Sequence, residues 1–194
     1  VLNHDTVECW GSNYYGQLGD GLVPDRSYPF PVSGLSGITA LGAGAWHSCA
    51  LGAGGAVTCW GANFYGQIGN GGWSETPVSP AATVPGLTGV THVGVGDHHT
   101  CARLQDGSLR CWGQFPEGTL GTGFGGGNQN ATQVMGSNLQ LDHRSATGTH
   151  NCALDSGGTV WCWGATPQGG RGWQPRSISG LTAPSQVSAG SDFA

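Results

Sequence analysis

The stretch "HSCALGAGGAVTCWGAN", residues 47–63, sets two cysteines ten positions apart around a Gly-rich centre. The arrangement returns as "HTCARLQDGSLRCWGQ" from His99 and as "HNCALDSGGTVWCWGA" from His150. A three-residue loop, Ala53-Gly54-Gly55, ends in a glycine suited to the left-handed conformation. It pairs Gly52 with Ala56, Leu51 with Val57, and therefore Cys49 with Cys59. The equivalent loops Gln105-Asp106-Gly107 and Ser156-Gly157-Gly158 set Cys101 opposite Cys111 and Cys152 opposite Cys162. Directly opposed residues of an antiparallel pair have Cα atoms about 4.5–5.5 Å apart, within the reach of a disulfide. A two-residue turn at Asp106-Gly107 would instead face Cys101 with Trp112, so the glycines and the cysteines select one register. Three disulfides are expected, with Cys9 left free.

Aligning on "CWG" gives Cys9, Cys59, Cys111 and Cys162, a repeat of 50, 52 and 51 residues. Each "CWG" is followed by a Gly-punctuated segment: "YGQLGDG" from Tyr15, "YGQIGNG" from Tyr65, the weaker "EGTLGTG" from Glu117 and a degenerate "GGRG" from Gly169. A Pro-containing stretch, an apolar stretch such as "ITALGAG" and the cysteine hairpin come next. About four short strands per repeat amount to one propeller blade. The fold class is therefore all-β, a β-propeller of about four repeats in one domain, 1–194. The boundaries fall near 1–38, 39–90, 91–140 and 141–187, with 188–194 starting a further repeat.

Composition supports this reading. With 38 Gly and 10 Pro in 194 residues, about a quarter of the chain forms turns, and the period converts that share from a sign of disorder into many short strands. The six basic residues are all Arg, and the net charge is −5. No basic patch invites nucleic acid, and no apolar run approaches the roughly 20 residues that cross a bilayer. Closing an 11-residue loop with a disulfide is worth about 3 kcal/mol, and persistent pairs imply an oxidising compartment, hence a secreted or cell-surface protein. Zinc is the alternative use of His47, Cys49 and Cys59, but no C-x-x-C and no fourth ligand accompany them.

The order "GAWHSCAL", Gly turn, "TCWGANFYGQIGNG" resembles the repeat of the RCC1 superfamily, the regulator of chromosome condensation. The likeness runs through essentially the whole chain. It implies a β-propeller, seven-bladed in well-known members, and a role in binding proteins. The cysteine pairs are similar to those of secreted bacterial relatives. Guanine-nucleotide exchange on a small nuclear GTPase, a distant alternative, requires a partner in a reducing compartment, and no exchange-factor residues are carried over. The repeats fit an excerpt of a longer array, which the resemblance favours, or a small ring closed by "VECWG" pairing with "QVSAG".

Trp10, Trp60, Trp112 and Trp163 recur at one phase and are read as packing between blades. His47, His99 and His150 also share a phase, where the fourth instance has Phe193, so they too are read as structural. Residues that do not repeat are the candidates for binding. The turn before each cysteine strand reads "GAWH", "GDHH", "GTH" and "GSDF", which singles out Trp46, Asp97, His98 and Asp192 on one face of the disc. Trp73 and Trp173, after the Gly-Gln segments, are further candidates, with Arg26 and Phe124 as unshared neighbours. Asn130-Ala131-Thr132 is a glycosylation acceptor pattern that occurs readily by chance. No catalytic constellation, metal motif or cofactor motif emerges. The expected function is a non-catalytic protein-binding propeller, with a carbohydrate-binding propeller using Trp46, Trp73 or Trp173 as the alternative.

Overall fold

The computed structural model describes residues 2–3, 6–21, 24–114, 118–123, 128–135, 139–140, 146–147, 150–165 and 171–187. Four antiparallel sheets follow one another along the chain, and no helix occurs among the described residues. The first contains β1 (Leu2–Asn3), β2 (Thr6–Gly11) and β3 (Arg26–Pro31). The second orders β4 (Ile38–Ala43), β5 (His47–Gly52), β6 (Val57–Asn63) and β7 (Ser74–Thr83) side by side. The third repeats it with β8 (Val90–Val95), β9 (His99–Leu104), β10 (Leu109–Gly113) and β11 (Asn128–Gln133). In the fourth, β12 (Leu139–Gln140) and β13 (Ala146–Thr147) both pair with β14 (His150–Asp155), followed by β15 (Val160–Ala165) and β16 (Arg171–Ile178). These four meanders are the blades of a β-propeller.

The hairpin loops fix the register as expected. The Gly52 N–H donates to the Ala56 carbonyl and the Gly55 N–H to the Gly52 carbonyl, both at 2.9 Å, while Gly55 sits at φ +74°. Counting from that bonded pair, Cys49 and Cys59 fall at a non-hydrogen-bonded site, where side chains lie closest. Their Cα atoms are 4.1 Å apart and their sulfurs are joined. Cys101–Cys111 and Cys152–Cys162 repeat the geometry, and Cys9 is free. The sulfurs that zinc would need are thus consumed in disulfides. The first hairpin differs: β1 meets β2 as Leu2 to Val7 and Asn3 to Thr6. On its other edge β2 pairs with β3 from Glu8 to Gly11.

The core lies between the sheets. Cys49, Leu51, Val57, Cys59 and Ile68 of the second blade bury against Val93, Ala102 and Trp112 of the third. Cys101, Leu109, Cys111 and Leu120 do the same against Ala153 and Trp163. Each disulfide therefore staples its own hairpin, and Cys49–Cys59 and Cys101–Cys111 also pack against the next blade. Strands β5 and β6 are covered on both faces, which explains their near-continuous apolar runs without alternation.

One polar junction recurs at each interface. The carbonyl of Gln17 accepts hydrogen bonds from Trp60 Nε1 at 2.9 Å and Ser48 Oγ at 3.0 Å. The carbonyl of Gln67 serves Trp112 and Thr100 in the same way, and that of Thr119 serves Trp163 and Asn151. A side chain at Gly19 would strike the Trp60 ring, and one at Gly69 the Trp112 ring, so the second glycine of Gly-Gln-x-Gly is set by the tryptophan of the following blade. Trp60, Trp112 and Trp163 are buried, as expected of packing residues. Trp10, at the same phase, departs from that expectation: it is 49% exposed.

Candidate binding face

At one end of the sheets, tight turns deliver the chain into β5 and β9. Gly44 N–H donates to the His47 carbonyl and Gly96 N–H to the His99 carbonyl, both at 2.9 Å. The carbonyls of Trp46 and His98 in turn accept from Ala62 and Gln114, at 2.9 Å each. Both variable residues are thereby tied to the residue that directly follows "CWG".

The loops after "CWG" emerge at the same end. Asn13 Oδ1 accepts the Leu18 N–H and Gln17 Oε1 accepts the Tyr15 N–H. Asn63 and Gln67 repeat both bonds, to Ile68 and Tyr65. Two internal side-chain bonds per loop hold Tyr14 and Tyr15, or Phe64 and Tyr65, on a fixed backbone.

Turns and loops together assemble six rings from three blades. Trp46 stacks on His98 with centroids 6.0 Å apart and planes 8° apart. Tyr15 meets Trp46 edge to face at 4.6 Å and Phe64 at 5.5 Å. Tyr65 meets His98 at 5.2 Å, and Tyr14 leans on Tyr15 at 4.8 Å. Tyr14 is 72% exposed and Tyr65 43%, while Trp46 and His98 are half-buried. Such pairs each contribute about 0.5–1.5 kcal/mol beyond area burial, which makes this a rigid surface.

The sequence candidates divide accordingly. Trp46 and His98 are brought together, with Asp97 next in the chain. Trp73, just before the edge strand β7, and Trp173, in the edge strand β16, are exposed and do not join this set. Asp192 lies outside the described residues. Tyr15, Phe64 and Tyr65 were missed: their signal was the shared "NYYGQ" and "NFYGQ", which reads as scaffold when only the repetition is weighed. Arg26 is accounted for by its 3.0 Å ion pair with Asp20.

The repeated histidines are structural. Because the Thr100 hydroxyl donates to the Gln67 carbonyl, His47 Nε2 donates to Thr100 Oγ1, at 2.8 Å. His99 Nε2 donates to Asn151 Oδ1 at 2.9 Å. Burial lowers the pKa of His47 to about 3 and that of His99 to about 4. Both stay neutral in the folded protein, whereas the unfolded chain protonates them near 6.5. The unfolded state thus binds more protons below pH 6.5, and stability is lost as pH falls through that value. From pH 6.5 to 5 the loss is about 2 kcal/mol for each histidine, in a window above ordinary carboxylate titration. Thermal melts should be level from pH 8 to 7 and fall steeply from 6.5 to 5; a level profile down to pH 5 contradicts this.

Comparison with known proteins agrees with this architecture. The family described as "Regulator of chromosome condensation (RCC1) repeat" matches residues 6–51 and 54–103, and a second family of that description matches 38–67, 90–118 and 145–169. The chain belongs to the RCC1 repeat family. It is 30% identical over 170 residues to the ultraviolet-B receptor UVR8 of Arabidopsis thaliana, covering 84% of this chain and 38% of the receptor. The probable E3 ubiquitin-protein ligase HERC6 of Homo sapiens is 30% identical over 192 residues, 96% of this chain and 18% of that protein. Among solved structures, human WBSCR16 superposes with a TM-score of 0.77 at 23% identity, over 93% of this chain and 50% of that one. Yeast RCC1 (Prp20) bound to Kap60 gives 0.72 at 20% identity, over 91% and 45%. The chain thus spans half or less of each of these relatives.

Proposed function

We propose that this chain is a non-catalytic, protein-binding propeller of a secreted or cell-surface protein, and that it recognises its partner with the face carrying Trp46 and His98. The supporting observation is the junction of two kinds of residue. Loops that repeat from blade to blade provide a rigid frame, and the turns add side chains that differ between blades. A specific surface needs the second, and the first keeps the entropy cost of binding low. Protein binding is named for a relative: the structure of Prp20p from Saccharomyces cerevisiae is described with its binding properties to Gsp1p and histones. An intracellular GTPase is disfavoured as the partner, because three disulfides suit an oxidising compartment. Exposed Trp73 and Trp173 favour a glycan as the second reading.

The test sets the oxidised protein against an array of extracellular proteins and a glycan panel, with Tyr14→Ala and Tyr65→Ala beside the parent. A protein ligand weakened about tenfold or more by either variant supports the reading. Saturable glycan binding that is lost in Trp73→Ala or Trp173→Ala and kept in Tyr14→Ala and Tyr65→Ala replaces it with the lectin alternative.

A further inference from the structure

We infer that the aromatic face binds an arginine-bearing segment of the partner protein, the guanidinium seated among Tyr14, Trp46, Tyr65 and His98 with Asp97 as its counter-charge. The inference rests on the assignment of this face as the recognition surface and adds the chemistry of what it recognises.

Three observations favour a cation. The face is rich in rings: six side chains from loops 13–20 and 63–70 and turns 44–46 and 96–98 form one connected set. Ring faces carry negative quadrupole potential and attract guanidinium or ammonium groups. The formal charges in those four segments are all negative: they hold Asp20 and Asp97 and no Arg, in a protein that has no Lys and a net charge of −5. Asp20 is already engaged by Arg26 at 3.0 Å, while half-buried Asp97 adjoins His98 in the turn. Finally, the rings do not share one plane: Trp46 and His98 are within 8° of parallel, while Tyr15 meets Trp46 at 82° and Tyr65 meets His98 at 73°. Their π faces are therefore directed along more than one axis, as a surface that surrounds a cation requires, whereas stacking a sugar needs one flat platform.

Arginine is favoured over lysine because its planar, weakly hydrated guanidinium stacks on rings and still presents donors to a carboxylate. A second copy of this chain is a poor occupant for this face. Two-fold pairing through this face would set it against the same four segments of the other copy, which hold no Arg or Lys to meet Asp97.

The test uses the oxidised protein and the blocked pentapeptide Gly-Arg-Gly-Arg-Gly, with citrulline in place of arginine as the neutral isostere. Binding is followed by tryptophan fluorescence and calorimetry. The arginine peptide should bind saturably and at least about tenfold more tightly than the citrulline peptide. Tyr14→Ala, Tyr65→Ala and Asp97→Asn should each weaken it about three- to tenfold, and raising salt from about 0.05 to 0.5 M should weaken it further. Tyr14 and Tyr65 are exposed enough that their variants fold, which circular dichroism and a melt would check. Equal binding of both peptides, or no saturable binding of either, overturns the inference. If face variants still abolish capture of a protein ligand while Asp97→Asn leaves it unchanged, the face is right and the cation is wrong.

Discussion

Reducing the three disulfides should unfold the protein. Each closes an 11-residue loop worth about 3 kcal/mol, so together they supply about 9 kcal/mol, a large part of the 5–15 kcal/mol typical of a whole domain. The effect extends beyond chain entropy, because Cys49–Cys59 and Cys101–Cys111 belong to the cores between blades. Five of the six cysteines are fully buried and Cys162 is partly exposed, so Cys49–Cys59 and Cys101–Cys111 should resist a water-soluble phosphine until the protein opens. Calorimetry on protein denatured, reduced and returned to buffer should show no cooperative transition, against a sharp one for the oxidised form. A reduced protein that melts within a few degrees of the oxidised one would show that the staples are dispensable.

Trp112→Ala should be the most damaging single substitution among the aromatic residues. The ring is fully buried between the second and third blades, and removing such a side chain costs about 3–5 kcal/mol. The Gln67 carbonyl keeps its bond from Thr100, so the loss is mainly the cavity and only secondarily a hydrogen bond. For a chain of this length the melting temperature should fall by about 10 °C or more. Trp112→Phe, which fills most of the cavity and forgoes the N–H, should recover over half of that. Trp10→Ala, at the same phase but half exposed, should cost about 1 kcal/mol or less. Equal losses at Trp10 and Trp112 would contradict the role given to the Gly-Gln carbonyl.

The contrast between those tryptophans shows what the sequence made legible and where it stopped. Pairing of Cys49 with Cys59 was readable because everything that decides it lies within 11 residues: Gly55 admits the left-handed turn, and the count to each cysteine follows. Burial of Trp10 was not readable. It depends on a loop from another blade, and equal sequence phase does not guarantee an equal neighbour. The binding face falls between these cases. Trp46 and His98 stood out because they vary within a fixed turn. Their contact spans 52 positions, and Tyr15 reaches Trp46 across 31. Such juxtapositions are set by the rotation from one blade to the next, which no single repeat encodes. For the same reason Trp46 is less solitary than its position in the turn suggested: it is half-buried against Tyr15 and His98 and contributes to stability as well as to the surface.

The central claim is that residues varying between blades recognise and residues repeating between blades support. It is tested most directly by measuring Trp46→Ala and Trp112→Ala together, each by thermal melt and by affinity for the captured protein ligand below its melting range. Trp46→Ala should cost about 1–2 kcal/mol of stability and weaken binding about thirtyfold or more, as expected for an interface tryptophan. Trp112→Ala should cost about 3–5 kcal/mol of stability and, while folded, bind within about threefold of the parent. If Trp46→Ala melts as badly as Trp112→Ala and binds normally while folded, the turn is part of the scaffold and recognition lies elsewhere on the propeller.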